Sequence, residues 1–185
     1  MSIPNILTWL RIVLIPVFVI TFYLPWSWAR LTTAAIFAIA ALTDWLDGYL
    51  ARSLSQTSRL GAFLDPVADK LIVVATLILL VGENHYPYLA IPATVIVGRE
   101  IVISALREWM AEIGKRASVA VSMLGKLKTV LQMLAILLLL LGRPTPHAYL
   151  PHVGFIGYAL LYIAAIMTLW SMLVYLRAAR DHMAV

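Results

Sequence analysis

The sequence contains no cysteine, which excludes a disulfide framework, a thiolate metal site and a cysteine nucleophile. Charge is scarce as well. Only 12% of the 185 residues are charged while 63% are hydrophobic, a balance that excludes a soluble globular domain and predicts a polytopic membrane protein. No low-complexity linker or hydrophilic stretch interrupts the apolar runs, so a single domain over residues 1–185 is expected. Met1 to Asn5 carries no basic residue and no small-residue cleavage site follows, so no removable signal peptide is expected. The net charge of +5 is scattered among membrane-length runs. That pattern argues against nucleic acid and for anionic headgroups and phosphate substrates as partners.

What is present is a succession of apolar stretches predicting an all-α fold of six transmembrane helices around a cytoplasm-facing polar cavity. The spans are expected at 6–24, 29–51, 61–82, 88–109, 119–142 and 153–176. Helices of about 20 residues suit a hydrocarbon core of about 30 Å. Pro16 is expected to kink the first, and Pro25 to Trp28 form an interfacial turn. With the N-terminus in the cytoplasm, Arg52, Arg59, Arg107, Lys115, Arg116, Lys126, Lys128, Arg177 and Arg180 lie at or near cytoplasmic ends. Only Arg30 and Arg143 then lie outside, and this imbalance sets the orientation.

Against this apolar background, four of the nine acidic residues fall between Asp44 and Asp69. Asp44 and Asp47 are spaced i, i+3, and Asp65 and Asp69 i, i+4, so each pair projects from one face of its own helix. Facing helices would bring four carboxylates together, an arrangement that repulsion and desolvation make unstable unless cations neutralise it. Oxygen-only ligands favour Mg²⁺ or Mn²⁺, and four carboxylates suit two ions sharing a bridging ligand. A competing reading makes the acids solubilising helix ends or partners of Arg52, Arg59 and Lys70. It accommodates one pair more easily than two pairs flanking a short loop. Gly48 and Ala51 share the acidic face of their helix and leave room for a ligand beside its backbone. Arg52 and Arg59 supply guanidinium groups suited to phosphate oxygens.

The full pattern, D-x2-D-G-x2-A-R-x8-G-x3-D-x3-D from Asp44 to Asp69, resembles the signature of the CDP-alcohol phosphotransferases at all eight fixed positions and both gaps. The opening PNILTWLRI, the stretch GREIVISALREWMAEIGKR and the following GKLKT resemble bacterial members of that family, so the likeness extends over nearly the whole chain. The resemblance implies a multi-pass enzyme of the bacterial cytoplasmic (inner) membrane, with its active site facing the cytoplasm and a homodimeric assembly. It implies CDP-diacylglycerol as donor and sn-glycerol 3-phosphate as acceptor. Asp44, Asp47, Asp65 and Asp69 would hold two divalent cations, with Asp65 bridging and Asp69 also the general base. Asn5, Thr8, Gly48, Arg52 and Ser58 would contact CDP-diacylglycerol. Cardiolipin-synthase and phosphatidylinositol-phosphate-synthase types also use phosphorylated acceptors and remain open alternatives, as does a divalent-cation transporter.

An acceptor that is a phosphate dianion needs cations beyond those serving the donor. Arg99, Arg107, Arg116 and Lys126 are expected to supply them for glycerol 3-phosphate. Glu100, Ser104 and Arg107 follow i, i+4, i+7 on one stripe with Arg99 at its border; the bland alternative is an Arg99–Glu100 or Arg107–Glu108 pair that only neutralises charge. Lys126 and Thr129 share a helix face, whereas Lys128 points about 160° from Lys126, and it is expected to snorkel to the interface outside the site. Asn5, Thr8 and Arg11 form a polar stripe at the start of the first helix. His85, His147, His152 and His182 lack ligand spacing and are expected as exposed histidines; the six tryptophans are expected as interfacial anchors.

Gly48 separates a nucleotide enzyme from an ion transporter. Gly48→Leu fills the space beside the acids without adding charge, and Leu is the better helix former by somewhat under ~1 kcal/mol. The variant should fold and bind divalent cations but lose CDP-diacylglycerol binding. Unchanged affinity for CDP-diacylglycerol in a folded Gly48→Leu protein would move the nucleotide site elsewhere.

Overall fold

The computed structural model describes residues 3–54, 59–113, 123–144 and 150–183, and within them the chain is all-α with six helices. These are α1 (Ile3–Tyr23), α2 (Ala29–Leu54), α3 (Arg59–Gly82), α4 (Ala90–Glu112), α5 (Met123–Gly142) and α6 (Pro151–Met183). Breaks follow local chemistry. Pro25 follows the end of α1, Pro87 lies in the turn before α4, and Gly142 with Pro144 closes α5. Pro16 and Pro66 lie inside α1 and α3, which continue through them.

Several helix boundaries differ from expectation. α2 continues past the expected end at 51 to Leu54, and α3 begins at Arg59 rather than at 61; residues 55–58 lie outside those described. α4 reaches Glu112, past the expected end at 109, and α6 runs from 151 to 183, so Arg177 belongs to the helix rather than following it. In each case polar residues beyond the apolar run carry on the helix, because a helix emerging from an apolar layer still satisfies its own backbone.

By length and composition, one described helix segment, Pro151–Arg177, is long and apolar enough to cross a membrane; Trp9–Tyr23, Ala29–Thr43 and Leu127–Gly142 are shorter apolar segments. Charge interrupts α3 and α4. Asp65, Asp69 and Lys70 sit in the first half of α3, and Arg99, Glu100 and Arg107 punctuate α4. Large apolar side chains also face outward. Ile20, Ile78, Ile101, Phe155, Ile166 and Trp170 are exposed, while Arg11 is completely buried.

The core joins Phe18, Phe22 and Phe37 to Leu77, Leu80, Ile96, Ile136, Leu139 and Leu161. A second apolar cluster, Ile103, Leu106, Met110 and Tyr175, ties α4 to α6. The most extensive helix pair is α5 with α6. Its closeness rests on glycine: a Cβ on Gly142 would lie 2.2 Å from the Gly154 Cα, and one on Gly157 would lie 2.8 Å from both the Ala135 carbonyl oxygen and the Leu139 nitrogen.

At one end of the bundle, Arg143 fastens three connections. Its Nε bonds Glu83 Oε1 at 2.5 Å, its Nη2 donates to the Phe22 carbonyl at 2.6 Å, and its guanidinium lies 3.6 Å from the Phe22 ring centroid. Tyr158 and Tyr162 on α6 donate to the carbonyls of Pro87 and Tyr88 at 2.8 and 3.0 Å. The α1–α2, α3–α4 and α5–α6 connections therefore share this end. The start of α3, the end of α4 and the start of α5 are directed toward the other.

Gly157→Ala should destabilise the bundle by about 1–3 kcal/mol, because the added methyl meets backbone atoms that cannot rotate away. Gly98→Ala, whose methyl would meet open space, is the neutral control. Thermal unfolding in detergent reads the difference; equal midpoints would mean that α5 and α6 separate without cost.

Candidate active site

A cavity of about 240 Å³ lies between α3, α4, α5 and α6. α3 contributes Asp69, Lys70, Val73 and Val74, which recur one turn apart on one face. α4 contributes Arg99, Glu100 and Arg107, α5 contributes Lys128, Thr129 and Gln132, and α6 contributes Tyr175. Four basic side chains and two acidic ones therefore meet in one opening of an otherwise apolar bundle. Such a surplus attracts an anion, and the low-dielectric walls strengthen the attraction.

Each acid in the cavity already has a cationic neighbour. Asp69 is paired with Arg11, which reaches it from α1 with its guanidinium group buried, while the Asp69 side chain remains 33% exposed. Glu100 Oε1 accepts from Arg99 Nη1 at 2.6 Å. Lys70 bonds Ser104, whose hydroxyl also donates to the Glu100 carbonyl at 2.5 Å, so a polar bridge couples α3 to α4 beside the cavity. The Arg107 guanidinium stands 5.9 Å from the centroid of the Tyr175 ring.

Several expected site residues meet here. Asp69, Arg99 and Arg107 line the cavity together. The Arg99–Glu100 pair, weighed against a site role, exists within the cavity wall, so neutralisation and cavity lining coincide. Asp44, Asp47, Gly48 and Arg52 belong to the last half of α2, Asp65 to α3 one turn before Asp69, Asn5 and Thr8 to the first turns of α1, and Lys126 to the first turn of α5. The side chains of these eight residues lie outside those described, and Ser58 and Arg116 lie outside the described residues altogether.

Lys128 requires a correction. It was expected at the interface and outside the site; instead it is 3% exposed and lines the cavity. The inward face of α5 runs through Lys128, Gln132, Ala135 and Leu139, all buried, with spacings of four, three and four residues. Gln132, the one polar side chain in the apolar stretch from Val130 to Leu141, was the available signal. Arg11, grouped with Asn5 and Thr8 as a polar stripe, pairs with Asp69. Tyr175 escaped notice because a tyrosine near a membrane boundary reads as an anchor.

Two kinds of comparison bear on this arrangement. The family model for CDP-alcohol phosphatidyltransferase matches residues 1–170. The chain is 54% identical over 179 residues to the CDP-diacylglycerol–glycerol-3-phosphate 3-phosphatidyltransferase of Salmonella typhimurium, spanning 97% of this chain and 95% of that one. Proteins of the same name from Sodalis glossinidius and Pectobacterium atrosepticum are each 56% identical, over 180 and 179 residues, with 97% of this chain covered and 96% and 95% of theirs.

Arg11→Met removes the buried cation beside Asp69 while retaining much of the side-chain volume. In chelator, without divalent ions, the variant should lose about 1–3 kcal/mol of stability, the scale of a charge-assisted hydrogen bond discounted for the partial exposure of Asp69. Thermal unfolding measures it; an unchanged midpoint would make the pair energetically irrelevant.

Proposed function

The chain belongs to the CDP-alcohol phosphatidyltransferase family, and we propose that its cation-lined cavity is where it transfers a phosphatidyl group from CDP-diacylglycerol to sn-glycerol 3-phosphate. The products are phosphatidylglycerophosphate and CMP, and the enzyme is a CDP-diacylglycerol–glycerol-3-phosphate 3-phosphatidyltransferase of phospholipid biosynthesis. The observation that carries the site assignment is the meeting of Asp69 with Lys70, Arg99, Arg107 and Lys128 in one cavity. A carboxylate able to receive a proton beside a surplus of cations suits an acceptor bearing both a hydroxyl and a phosphate dianion.

Asp44, Asp47, Asp65 and Asp69 are the cation ligands in this reading. A carboxylate-only donor set fits Mg²⁺ or Mn²⁺, and Asp69 presents a partly exposed carboxylate to the cavity. Two such ions would neutralise charge on the departing CMP and polarise the phosphorus under attack. Asn5, Thr8, Gly48, Arg52 and Ser58 hold the nucleotide end of the donor. Arg99, Arg107, Arg116 and Lys126 receive the acceptor phosphate. Asp69 accepts the proton as the acceptor oxygen bonds to the lipid-linked phosphorus and the bond from that phosphorus to the CMP oxygen breaks. No covalent enzyme intermediate is required.

The six helices span the cytoplasmic membrane with the site facing the cytoplasm, and the enzyme works as a homodimer. The exposed apolar bands support the spanning arrangement, and the excess of basic residues at the site end supports the orientation. A divalent-cation transporter is disfavoured by the same four basic side chains, which would repel its cargo.

The test incubates purified protein in detergent with CDP-diacylglycerol, Mg²⁺ and a panel of acceptors, following CMP. Glycerol 3-phosphate should be preferred over glycerol, serine and myo-inositol phosphate, and Asp69→Asn should lose nearly all turnover while largely retaining CDP-diacylglycerol binding. Preference for another acceptor would reassign the substrate, and near-normal turnover by Asp69→Asn would remove it as the base.

A further inference from the structure

Three of the buried or nearly buried arginines in this bundle have an acid: Arg11 meets Asp69, Arg99 meets Glu100 and Arg143 meets Glu83. Arg30 is the exception. It is 8% exposed, its Nη1 is buried without a hydrogen-bond partner, and no acid among the described residues pairs with it. The sequence offers none either. Of the nine acidic residues, only Glu83 stands at the end of the bundle where α2 begins, and Arg143 holds it. Asp44, Asp47, Asp65 and Asp69 belong to the opposite ends of α2 and α3, Glu100 is taken by Arg99, and Glu108, Glu112 and Asp181 lie further along α4 and α6. A guanidinium stays charged when buried, so Arg30 calls for an anion that the chain does not supply.

The start of α2 adds to that demand. Arg30 is the second residue of the helix, and the Trp28 carbonyl accepts from the Thr32 amide at 2.9 Å, which puts Trp28 at the cap position. An indole only donates, and no acid occupies the first turn, so the amides of Arg30 and Leu31 stand where neither the helix nor its cap supplies an acceptor. Helical side chains lean toward the N-terminus of their helix, which carries the Arg30 guanidinium toward the same end. There the dipole of a 26-residue helix is positive. Charge, amides and dipole therefore favour one anion at one place.

Depth in the membrane identifies the anion. Tyr23, Trp26 and Trp28, around the turn that precedes α2, are 70%, 49% and 67% exposed, the placement of aromatic anchors at headgroup level. Leu24 and Leu31 are exposed beside them and face acyl chains. An anion at that level is the phosphate of a lipid. Arg30, Arg143 and Glu83 leave this end with one positive charge in excess, which favours a headgroup of net negative charge over a zwitterionic one whose ammonium offsets its phosphate.

We propose that the start of α2, with Arg30 as its cation, binds the phosphodiester headgroup of an anionic phospholipid in the outer leaflet, on the face of the enzyme opposite the active-site cavity. The proposal rests on the reading of six spans with the N-terminus in the cytoplasm. The lipid stands away from the chemistry, so it acts on the stability of the bundle and not on turnover.

The test uses delipidated protein in dodecyl maltoside and compares added phosphatidylglycerol, phosphatidylethanolamine and millimolar inorganic phosphate. Phosphatidylglycerol should raise the thermal midpoint of the parent by ~3 °C or more, the scale of ligand binding to the folded state of a chain of this size, and the other two should raise it much less. Arg30→Met should lose most of that rise, and Arg30→Lys, which keeps the charge, should retain part of it. Without lipid, the midpoint of Arg30→Met should equal or exceed that of the parent, since an uncompensated buried charge is gone. Native mass spectrometry should show one phosphatidylglycerol fewer per chain on Arg30→Met, and CMP release in detergent should stay within about twofold of the parent.

An equal response of the parent to phosphatidylglycerol and phosphatidylethanolamine would overturn the proposal, as would an equal response of parent and Arg30→Met to phosphatidylglycerol. A full response to inorganic phosphate would make the site one for a free anion and overturn the lipid assignment. A lowered midpoint in lipid-free Arg30→Met with an undiminished lipid response would make Arg30 a structural residue. If the protein is recovered from cells without detergent, the reading of six spans fails instead.

Discussion

A charge inside an apolar bundle needs an opposite charge, a hydrogen-bonding network or a ligand, and this constraint organises the structure. Leaving a carboxylate or guanidinium group buried and bare costs several kcal/mol or more. Arg11 with Asp69, Arg99 with Glu100, and Arg143 with Glu83 each meet it internally. The three pairs have different consequences. Arg143 draws the connections together at one end, whereas the other two shape the wall and mouth of the cavity toward the opposite end.

Helix packing makes that division possible. Glycine at 142, 154 and 157 lets α5 and α6 approach until backbone meets backbone, and this rigid pair carries Lys128, Gln132 and Tyr175 into place. α3 and α4 have a less extensive interface, bridged beside the cavity by Lys70 and Ser104. The contrast is physically coherent. Where apolar surfaces are wet by lipid tails rather than water, close van der Waals packing and polar bridges must supply the cohesion that hydrophobic burial gives a soluble protein.

Family membership and site geometry answer different questions. Membership identifies the reaction as exchange at a CDP-linked phosphorus, and near-full-length similarity to CDP-diacylglycerol–glycerol-3-phosphate 3-phosphatidyltransferases identifies the acceptor. The geometry shows which charges one cavity gathers. The four aspartates belong to α2 and α3, while the basic side chains lining the cavity come from α3 (Lys70), α4 (Arg99, Arg107) and α5 (Lys128). Asp69 lies where the acidic and basic sets meet.

Much of this could be read along the chain because its causes are local. Apolar runs located all six helices, since a backbone without access to water must bond to itself, and the spacing of Asp44, Asp47, Asp65 and Asp69 gave the reaction class through its likeness to a family signature. Arg99 and Arg107 stood out because charge is expensive in such a setting. What the sequence did not determine was direction. A helical wheel gives the angle between Lys126 and Lys128 but not that Lys128 faces inward; that depends on how α5 meets its neighbours, as at the Gly142–Gly154 contact fourteen residues along the helix. Pairing was equally hidden, because Arg11 and Asp69 are 58 residues apart and nothing local to either names the other. Composition and spacing thus determined the helices and the chemistry, whereas packing decided which charges face the cavity and which neutralise one another, because those choices depend on distances between helices that no local pattern encodes.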